Sequence, residues 1–119
     1  MTDDLPIIQK TYDLIKWYIP VLQNLPRSHR FQLGDRVATS LYDFLENLIA
    51  ARYQRDKLEQ LQALNGKLNV LRYQTRLLAD FDLLSTRRYV HAAELLTTIG
   101  NDLGGWIKQQ DSHRKALRA

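Results

Sequence analysis

Four stretches of this chain place apolar residues at spacings of three and four, and this feature constrains the fold more than any other. Residues that recur in this way line one face of an α-helix. The four stripes are Leu5, Ile8, Tyr12, Ile15, Ile19 and Leu22; Leu33, Val37, Leu41, Phe44, Leu48 and Ala51; Leu61, Leu64, Leu68, Leu71, Thr75 and Leu78; and Tyr89, Ala92, Leu96, Ile99, Leu103 and Trp106. Strand-like alternation and hairpin dipeptides are missing from the sequence. We therefore predict an all-α, up-down-up-down antiparallel four-helix bundle.

Local signals indicate where these helices begin and end. Pro20 should end or kink the first helix near its last turn, and residues 24–28 are the predicted first loop. The third helix is predicted from about residue 57 to 81, and Ser85 is a suitable N-cap for the fourth. The apolar pattern stops after residue 110. We predict one domain over residues 1–110 and a flexible basic tail over residues 111–119.

Composition excludes several classes of protein. The chain has 119 residues and no cysteine, which removes disulfides and thiolate chemistry and fits a reducing cytoplasm. The start of the chain is acidic, unlike a secretory signal, and no apolar run is long enough to span a membrane. The three histidines lack a second ligand at metal-binding spacing, and no glycine-rich phosphate loop occurs. We predict no catalytic residue, no metal and no cofactor, and therefore no enzyme.

Positive charge is concentrated in the second half of the chain. The net charge is +4, from 17 Lys and Arg against 13 Asp and Glu. Residues 52–76 carry six bases and two acids, and residues 85–119 carry six bases and three acids. This distribution suits a polyanionic or acidic partner, although a solvated, slightly basic surface explains it equally well.

Seven of these bases are candidates for contact with nucleic acid or a protein partner: Arg72, Arg76, Arg52, Arg55, Lys67, Arg87 and Arg88. Arg72 and Arg76 lie one helical turn apart and form an array for phosphates or carboxylates, with Tyr73 available for stacking. An exposed, solubilising helix face is the alternative for this pair. Lys67 is only partly aligned with it.

The other four candidate bases lie near predicted helix ends. Arg52 and Arg55, with Lys57, lie where the second helix ends, and cations there also offset the helix dipole. That structural role is at least as well supported as binding. Arg87 and Arg88 lie in the first turn of the fourth helix, where the dipole disfavours cations, so local stability explains them less easily and the case for a functional role is somewhat stronger.

Three glycines interrupt the fourth helical pattern: Gly100, Gly104 and Gly105. Together they cost about 2–3 kcal/mol of helix stability relative to alanine. We predict that they permit close packing against another helix, within the bundle or between subunits. The alternative is that the helix ends or bends there. Trp106, which follows them, is predicted to lie in the core or at an interface.

Seven apolar residues fall outside the main stripes: Leu14, Trp17, Tyr18, Leu45, Ile49, Val70 and Leu77. A monomeric bundle cannot cover two faces of every helix. Some of these residues are therefore predicted to be buried between protomers.

Four segments carry a resemblance to a known family. They are residues 5–13 (LPIIQKTYD), 26–36 (PRSHRFQLGDR), 71–73 (LRY) with Arg76, and 99–107 (IGNDLGGWI). In their order and spacing the chain resembles Avd, the accessory variability determinant of diversity-generating retroelements, over nearly its whole length. The same superfamily includes helical proteins encoded by ribosomal-RNA intervening sequences.

The resemblance implies a four-helix bundle that assembles into a positively charged, ring-like pentamer. It implies association with the retroelement's reverse transcriptase and with its template RNA or cDNA, in support of mutagenic retrohoming and without polymerase activity of its own. In the family, basic residues of the third helix matter for partner contact, and the matching positions are Arg72 and Arg76. No base-reading motif is visible, so nucleic-acid binding should be largely sequence-tolerant. The alternative is an intervening-sequence-type helical oligomer with a structural or RNA-binding role.

Overall fold

The computed structural model describes residues 5–118, and four helices make up this part of the chain. They are α1 (Pro6–Gln23), α2 (beginning at Arg27 and ending at Arg52), α3 (Leu58–Asp80) and α4 (Thr86–Arg118). Residues 5–118 contain no strand. Each helix packs against two neighbours in a closed order, α1 on α2, α2 on α3, α3 on α4 and α4 on α1. The predicted all-helical bundle is confirmed.

The two ends of the bundle differ in their connections. Because neighbouring helices run antiparallel, the connections at residues 24–26 and 81–85 lie at one end, which we call the two-loop end. The connection at residues 53–57 lies at the opposite end, which we call the single-loop end. The first residues of α1 and the last turns of α4 also lie at the single-loop end.

Polar side chains make hydrogen bonds at two of the helix ends. The Ser85 hydroxyl accepts a hydrogen bond from the backbone N–H of Arg88 at 3.2 Å, which confirms Ser85 as the N-cap of α4. Pro20 lies inside α1, which continues to Gln23. The Asn24 amide donates to the carbonyl of Pro20 at 3.1 Å and so satisfies one acceptor near the end of that helix.

The second helix begins earlier than the sequence pattern predicted. The connection covers only residues 24–26, so the predicted loop at 24–28 is too long. A single α-helical turn (Arg27–His29) leads into a π-helical segment (Arg30–Gly34), which continues as Asp35–Arg52. The first turn is polar and exposed, and apolar spacing therefore carries no sign of it.

The fourth helix continues through the segment predicted as a flexible tail. It has 33 residues against 23 in α3, and residues 111–118 are helical. Arg114 reaches back to Asp56 in the single-loop connection at 2.7 Å, and Lys115 pairs with Asp111 at 3.3 Å. Residues 1–4 of the predicted domain and residue 119 of the predicted tail lie outside the described residues.

The core is formed mainly by leucines, with one polar contact across its centre. The predicted heptad leucines of α3 are all buried. The hydroxyls of Tyr18 in α1 and Thr75 in α3 lie 2.8 Å apart and form a buried hydrogen bond between diagonally opposed helices. Burial raises the pKa of the Tyr18 phenol to about 12, although the hydrogen bond with Thr75 lowers it.

One stripe residue of α1 is exposed, contrary to the pattern. Tyr12 is half exposed, whereas its neighbour Thr11 is buried. Leu14 and Tyr18, which lie outside the main stripe, are also in the core. The reason is that α1 packs against both α2 and α4, and a helix with two neighbours buries a wide arc. No helix within residues 5–118 is long and apolar enough to cross a membrane.

Candidate interfaces for nucleic acid and protein partners

The seven candidate bases are distributed along the whole bundle. Arg52 and Arg55 lie at the single-loop end, whereas Arg87 and Arg88 lie at the two-loop end. Lys67, Arg72 and Arg76 lie on α3, which spans about 35 Å between those ends. The structure therefore separates the seven bases into groups with different surroundings.

Lys67 connects two helices. Its ammonium lies 2.8 Å from the carboxylate of Asp43 on α2. The contact places Lys67 on the side of α3 that faces α2 and gives it a structural partner.

Arg72 lies on the other side of α3, against α4. A Cβ atom at Gly100 would overlap a terminal nitrogen of the Arg72 guanidinium and would come within 3.4 Å of Leu68. Gly100 therefore lets the Arg72 side chain lie across the α4 backbone. The structure thus joins two candidates that the sequence presented separately.

Arg76 lies one helical turn after Arg72 and is more exposed. Its Nε atom is 3.9 Å from the carboxylate of Asp80, and 65% of each side chain is exposed. Exposed pairs of this kind contribute little to stability. The guanidinium is therefore available to a partner.

The outer face of α3 carries an apolar stripe beside these arginines. Its members are Val70, Tyr73, Leu77 and Phe81, whose exposed fractions lie between 43% and 59%. Their spacings of three and four place them on one face. Val70 and Leu77, which fall outside the main apolar stripes of the sequence, lie on the surface of the protomer. Ile49 on α2 is exposed in the same way, with Tyr42 nearby in sequence.

The other two glycines of α4 are open. Within 4 Å of a Cβ atom at Gly104 or Gly105 there is no atom of the described chain beyond the immediate helix. The helix does not end at them, because α4 continues to Arg118. Trp106 packs partly against the core, and Gly105 and Trp106 line a hollow of about 420 Å³ beside Pro6.

The bases at the single-loop end make local contacts. Lys57 donates a hydrogen bond to the backbone carbonyl of Arg52 at 3.2 Å, and its ammonium lies 5.5 Å from the ring centroid of Trp106. The Arg52 guanidinium lies 5.8 Å from the ring centroid of Tyr53. The hydrogen bond from Arg114 holds the pKa of Asp56 below its ordinary value. Arg55 is exposed. These contacts favour the structural role for Lys57 at the end of α2.

The two-loop end contains a hollow of about 770 Å³ between α1 and the start of α4. It is lined by Trp17, Ser85, Arg87, Arg88, Val90, His91 and Glu94. The rings of Trp17 and His91 meet at 4.8 Å between centroids, close to perpendicular. Trp17 and His91 were not among the sequence candidates. No spacing rule within one helix reports a contact between α1 and α4, so the sequence offered no signal for it.

Residues 5–118 hold no cluster of three or more His, Asp or Glu side chains placed to bind a metal ion. The arrangement instead offers exposed guanidiniums, an apolar stripe and open glycines. These features are typical of interfaces with other macromolecules.

Comparison with protein families identifies the relatives of this fold. A family model described as bAvd-like matches residues 5–110, which covers all of α1, α2 and α3 and most of α4. A comparison with curated proteins found no significant match. The chain therefore belongs to the bAvd-like family and is an Avd-type protein.

Proposed function

We propose that this protein is a non-catalytic accessory factor of a diversity-generating retroelement, and that it binds the element's reverse transcriptase and its template RNA or cDNA. The observation that carries the proposal is the bAvd-like family match over residues 5–110. The alternation of exposed bases and exposed apolar residues on the bundle surface supports a binding role.

The surface of α3 is the proposed contact for the reverse transcriptase. Arg72 and Arg76 border the stripe of Val70, Tyr73, Leu77 and Phe81. Protein interfaces combine a central group of aromatic and aliphatic side chains with a polar rim, and arginine is enriched in them. A partner surface with an apolar centre and an acidic edge would complement this face.

The proposed assembly is a homopentameric ring. The half-exposed apolar residues Tyr42 and Ile49 and the open glycines Gly104 and Gly105 support burial against other protomers. Five copies of a chain with net charge +4 carry a charge of +20. Such a ring should bind RNA or DNA with little sequence preference and with an affinity that falls steeply as salt rises.

The decisive experiment is co-purification of the protein with the reverse transcriptase of its own retroelement, with and without nuclease treatment. We expect complex formation to survive the nuclease, because the proposed contact is between proteins. Arg72→Ala with Arg76→Ala should reduce recovery of the enzyme and leave the melting temperature unchanged, because both side chains are exposed.

The matched control is Arg27→Ala with Arg36→Ala, which removes two exposed positive charges from α2 instead. Normal recovery of the enzyme with the α3 double variant would remove Arg72 and Arg76 from the proposed contact. Failure of the unaltered protein to bind the enzyme in either condition would contradict the accessory role.

A further inference from the structure

Arg87 and Arg88 have no carboxylate partner within residues 5–118, whereas Lys67 and Arg76 among the candidate bases do. Both are exposed, and neither forms an ion pair with any residue between 5 and 118. They also occupy the first turn of α4, where the helix dipole disfavours positive charge. Neither local pairing nor helix stability therefore accounts for two adjacent guanidiniums at this position.

The hollow beside these arginines has an aromatic wall. Trp17 is partly buried, and its ring centroid lies 5.4 Å from that of Tyr18 and 4.8 Å from that of His91. His91 is exposed and lies one turn after Arg87 on the same face of α4. The volume of the hollow, about 770 Å³, lies within the range of sites that hold small organic groups.

We propose that this hollow binds one segment of a single-stranded nucleic acid, with Arg87 and Arg88 on adjacent phosphates and one base packed on the Trp17–His91 pair. Guanidiniums recognise phosphate oxygens through paired hydrogen bonds, and aromatic side chains stack on bases without regard to sequence. The inference rests on the proposed function for its choice of ligand, and it assigns that ligand to one place on the molecule.

Glu94 limits the path of the strand. It lies one turn after His91 on the same face of α4 and also lines the hollow. Its carboxylate repels phosphate, so the backbone runs over Arg87 and Arg88 and does not continue along α4. An acidic peptide would use the two arginines but would gain nothing from the aromatic pair, and for that reason we favour nucleic acid.

The test uses the full chain carrying the substitution Trp106→Phe. The sequence has two tryptophans, so Trp17 is then the source of the tryptophan fluorescence. The probes are a short oligothymidylate and an abasic sugar-phosphate strand of the same length. We expect the oligothymidylate to quench Trp17 fluorescence and to bind about tenfold more tightly than the abasic strand, because one stacked base contributes on that scale.

Variants separate the two parts of the site. His91→Ala should remove much of the preference for the base-containing strand while binding to the abasic strand is retained. Trp17→Leu is the more disruptive change and should remove that preference completely. Arg87→Ala with Arg88→Ala should weaken binding of both strands by about 25-fold at about 0.1 M salt, as expected for two lost phosphate contacts. The matched control is Lys108→Ala with Lys115→Ala, which removes the same charge from the other end of α4 and should leave the quenching intact.

Several outcomes would overturn the site. They are oligothymidylate binding without quenching of Trp17, equal affinity for the two strands, and quenching by polyglutamate but not by the oligonucleotide. Each of these leaves the reverse-transcriptase contact of α3 untouched. Conversely, the protein could fail to bind the reverse transcriptase while the oligothymidylate still quenches Trp17. That result would contradict the proposed function and leave the nucleic-acid site intact.

Discussion

The two ends of the bundle carry similar numbers of basic side chains but use them differently. At the single-loop end, Arg114 pairs with Asp56, Lys115 with Asp111, and Lys57 with a backbone carbonyl and the ring of Trp106. At the two-loop end, Arg87 and Arg88 face a hollow and have no ion-pair partner within residues 5–118.

This difference shows that a count of charges does not locate a binding site. The interaction of a cation with phosphate is weakened when a carboxylate already neutralises that cation. At the single-loop end, Arg114 and Lys57 hold α4 against the connection between α2 and α3. At the two-loop end, Arg87 and Arg88 remain available for a ligand.

The largest expected effect concerns the buried hydrogen bond between Tyr18 and Thr75 in the core. The pKa of Tyr18 is raised to about 12 in the folded protein from its ordinary value of 10.0. A raised pKa means that the stabilising contribution is complete below about pH 10 and is lost as the pH rises toward 12. The loss should reach roughly 3 kcal/mol in the free energy of unfolding, measured by urea denaturation across this range.

Tyr18→Phe should abolish that part of the pH dependence. It should also cost about 1.5 kcal/mol at neutral pH, because the buried Thr75 hydroxyl then lacks its partner. Adding Thr75→Val should restore most of the loss. Nucleic-acid binding should stay unchanged in both variants, because phenylalanine keeps an aromatic ring beside Trp17. A wild-type pH profile in Tyr18→Phe would contradict the assignment to Tyr18.

The next prediction is designed to make the two ends alike. Asp56→Asn with Asp111→Asn frees Arg114 and Lys115 from their partners. Each freed cation adds about fivefold to single-strand affinity at about 0.1 M salt, so we expect up to about 25-fold tighter binding. The measurement is a titration with a fluorescent oligonucleotide at several salt concentrations.

The control is Asp13→Asn with Glu46→Gln, which removes the same negative charge without releasing a paired base. If this control raises the affinity as strongly, then net charge and not pairing explains the difference between the ends.

A smaller effect is expected midway between the ends, where Arg72 crosses α4. Gly100→Ala places a methyl group where the Arg72 guanidinium lies and so moves that side chain without changing any charge. We expect about fivefold weaker binding to the reverse transcriptase, with stability retained or slightly raised by the better helix former. Gly104→Ala is the matched control, because nothing lies near its Cβ position. Equal binding by these two variants would contradict the role given to Gly100.

The smallest effect belongs to the single-loop end alone. Arg114→Ala should raise the pKa of Asp56 toward its ordinary value, because the main cause of the lowered pKa is the hydrogen bond from Arg114. The stabilisation from a lowered carboxyl pKa is present at neutral pH and is lost as the pH falls through the folded-state pKa. Wild type and variant should therefore converge in stability in acid. NMR titration of the Asp56 carboxyl measures the shift, and an unchanged titration would contradict it.

The helices themselves were largely predictable from the sequence. Apolar spacing located α3 to within a residue at each end, and the N-cap residue Ser85 marked the start of α4. The pattern failed where apolar residues do not recur at helical spacing. The polar first turn of α2 was predicted as a loop, and its π-helical segment was not distinguished from ordinary helix.

The candidate interface was less predictable because its decisive contacts join distant parts of the chain. Arg72 and Gly100 were each identified, but their contact arises from the packing of α3 on α4. The Trp17–His91 pair has the same origin across α1 and α4. Arg114 also pairs with Asp56 far away in sequence, and no helical spacing predicts that the last turns of α4 would be held in this way.

Photochemical cross-linking of a short single-stranded oligonucleotide to the full protein, followed by peptide mapping, tests the contrast between the ends most directly. The account predicts cross-links in peptides that contain Trp17 or residues 85–94, and few in peptides that cover residues 52–57 or 108–118. Cross-links concentrated at residues 108–118, or spread evenly over both ends, would contradict it.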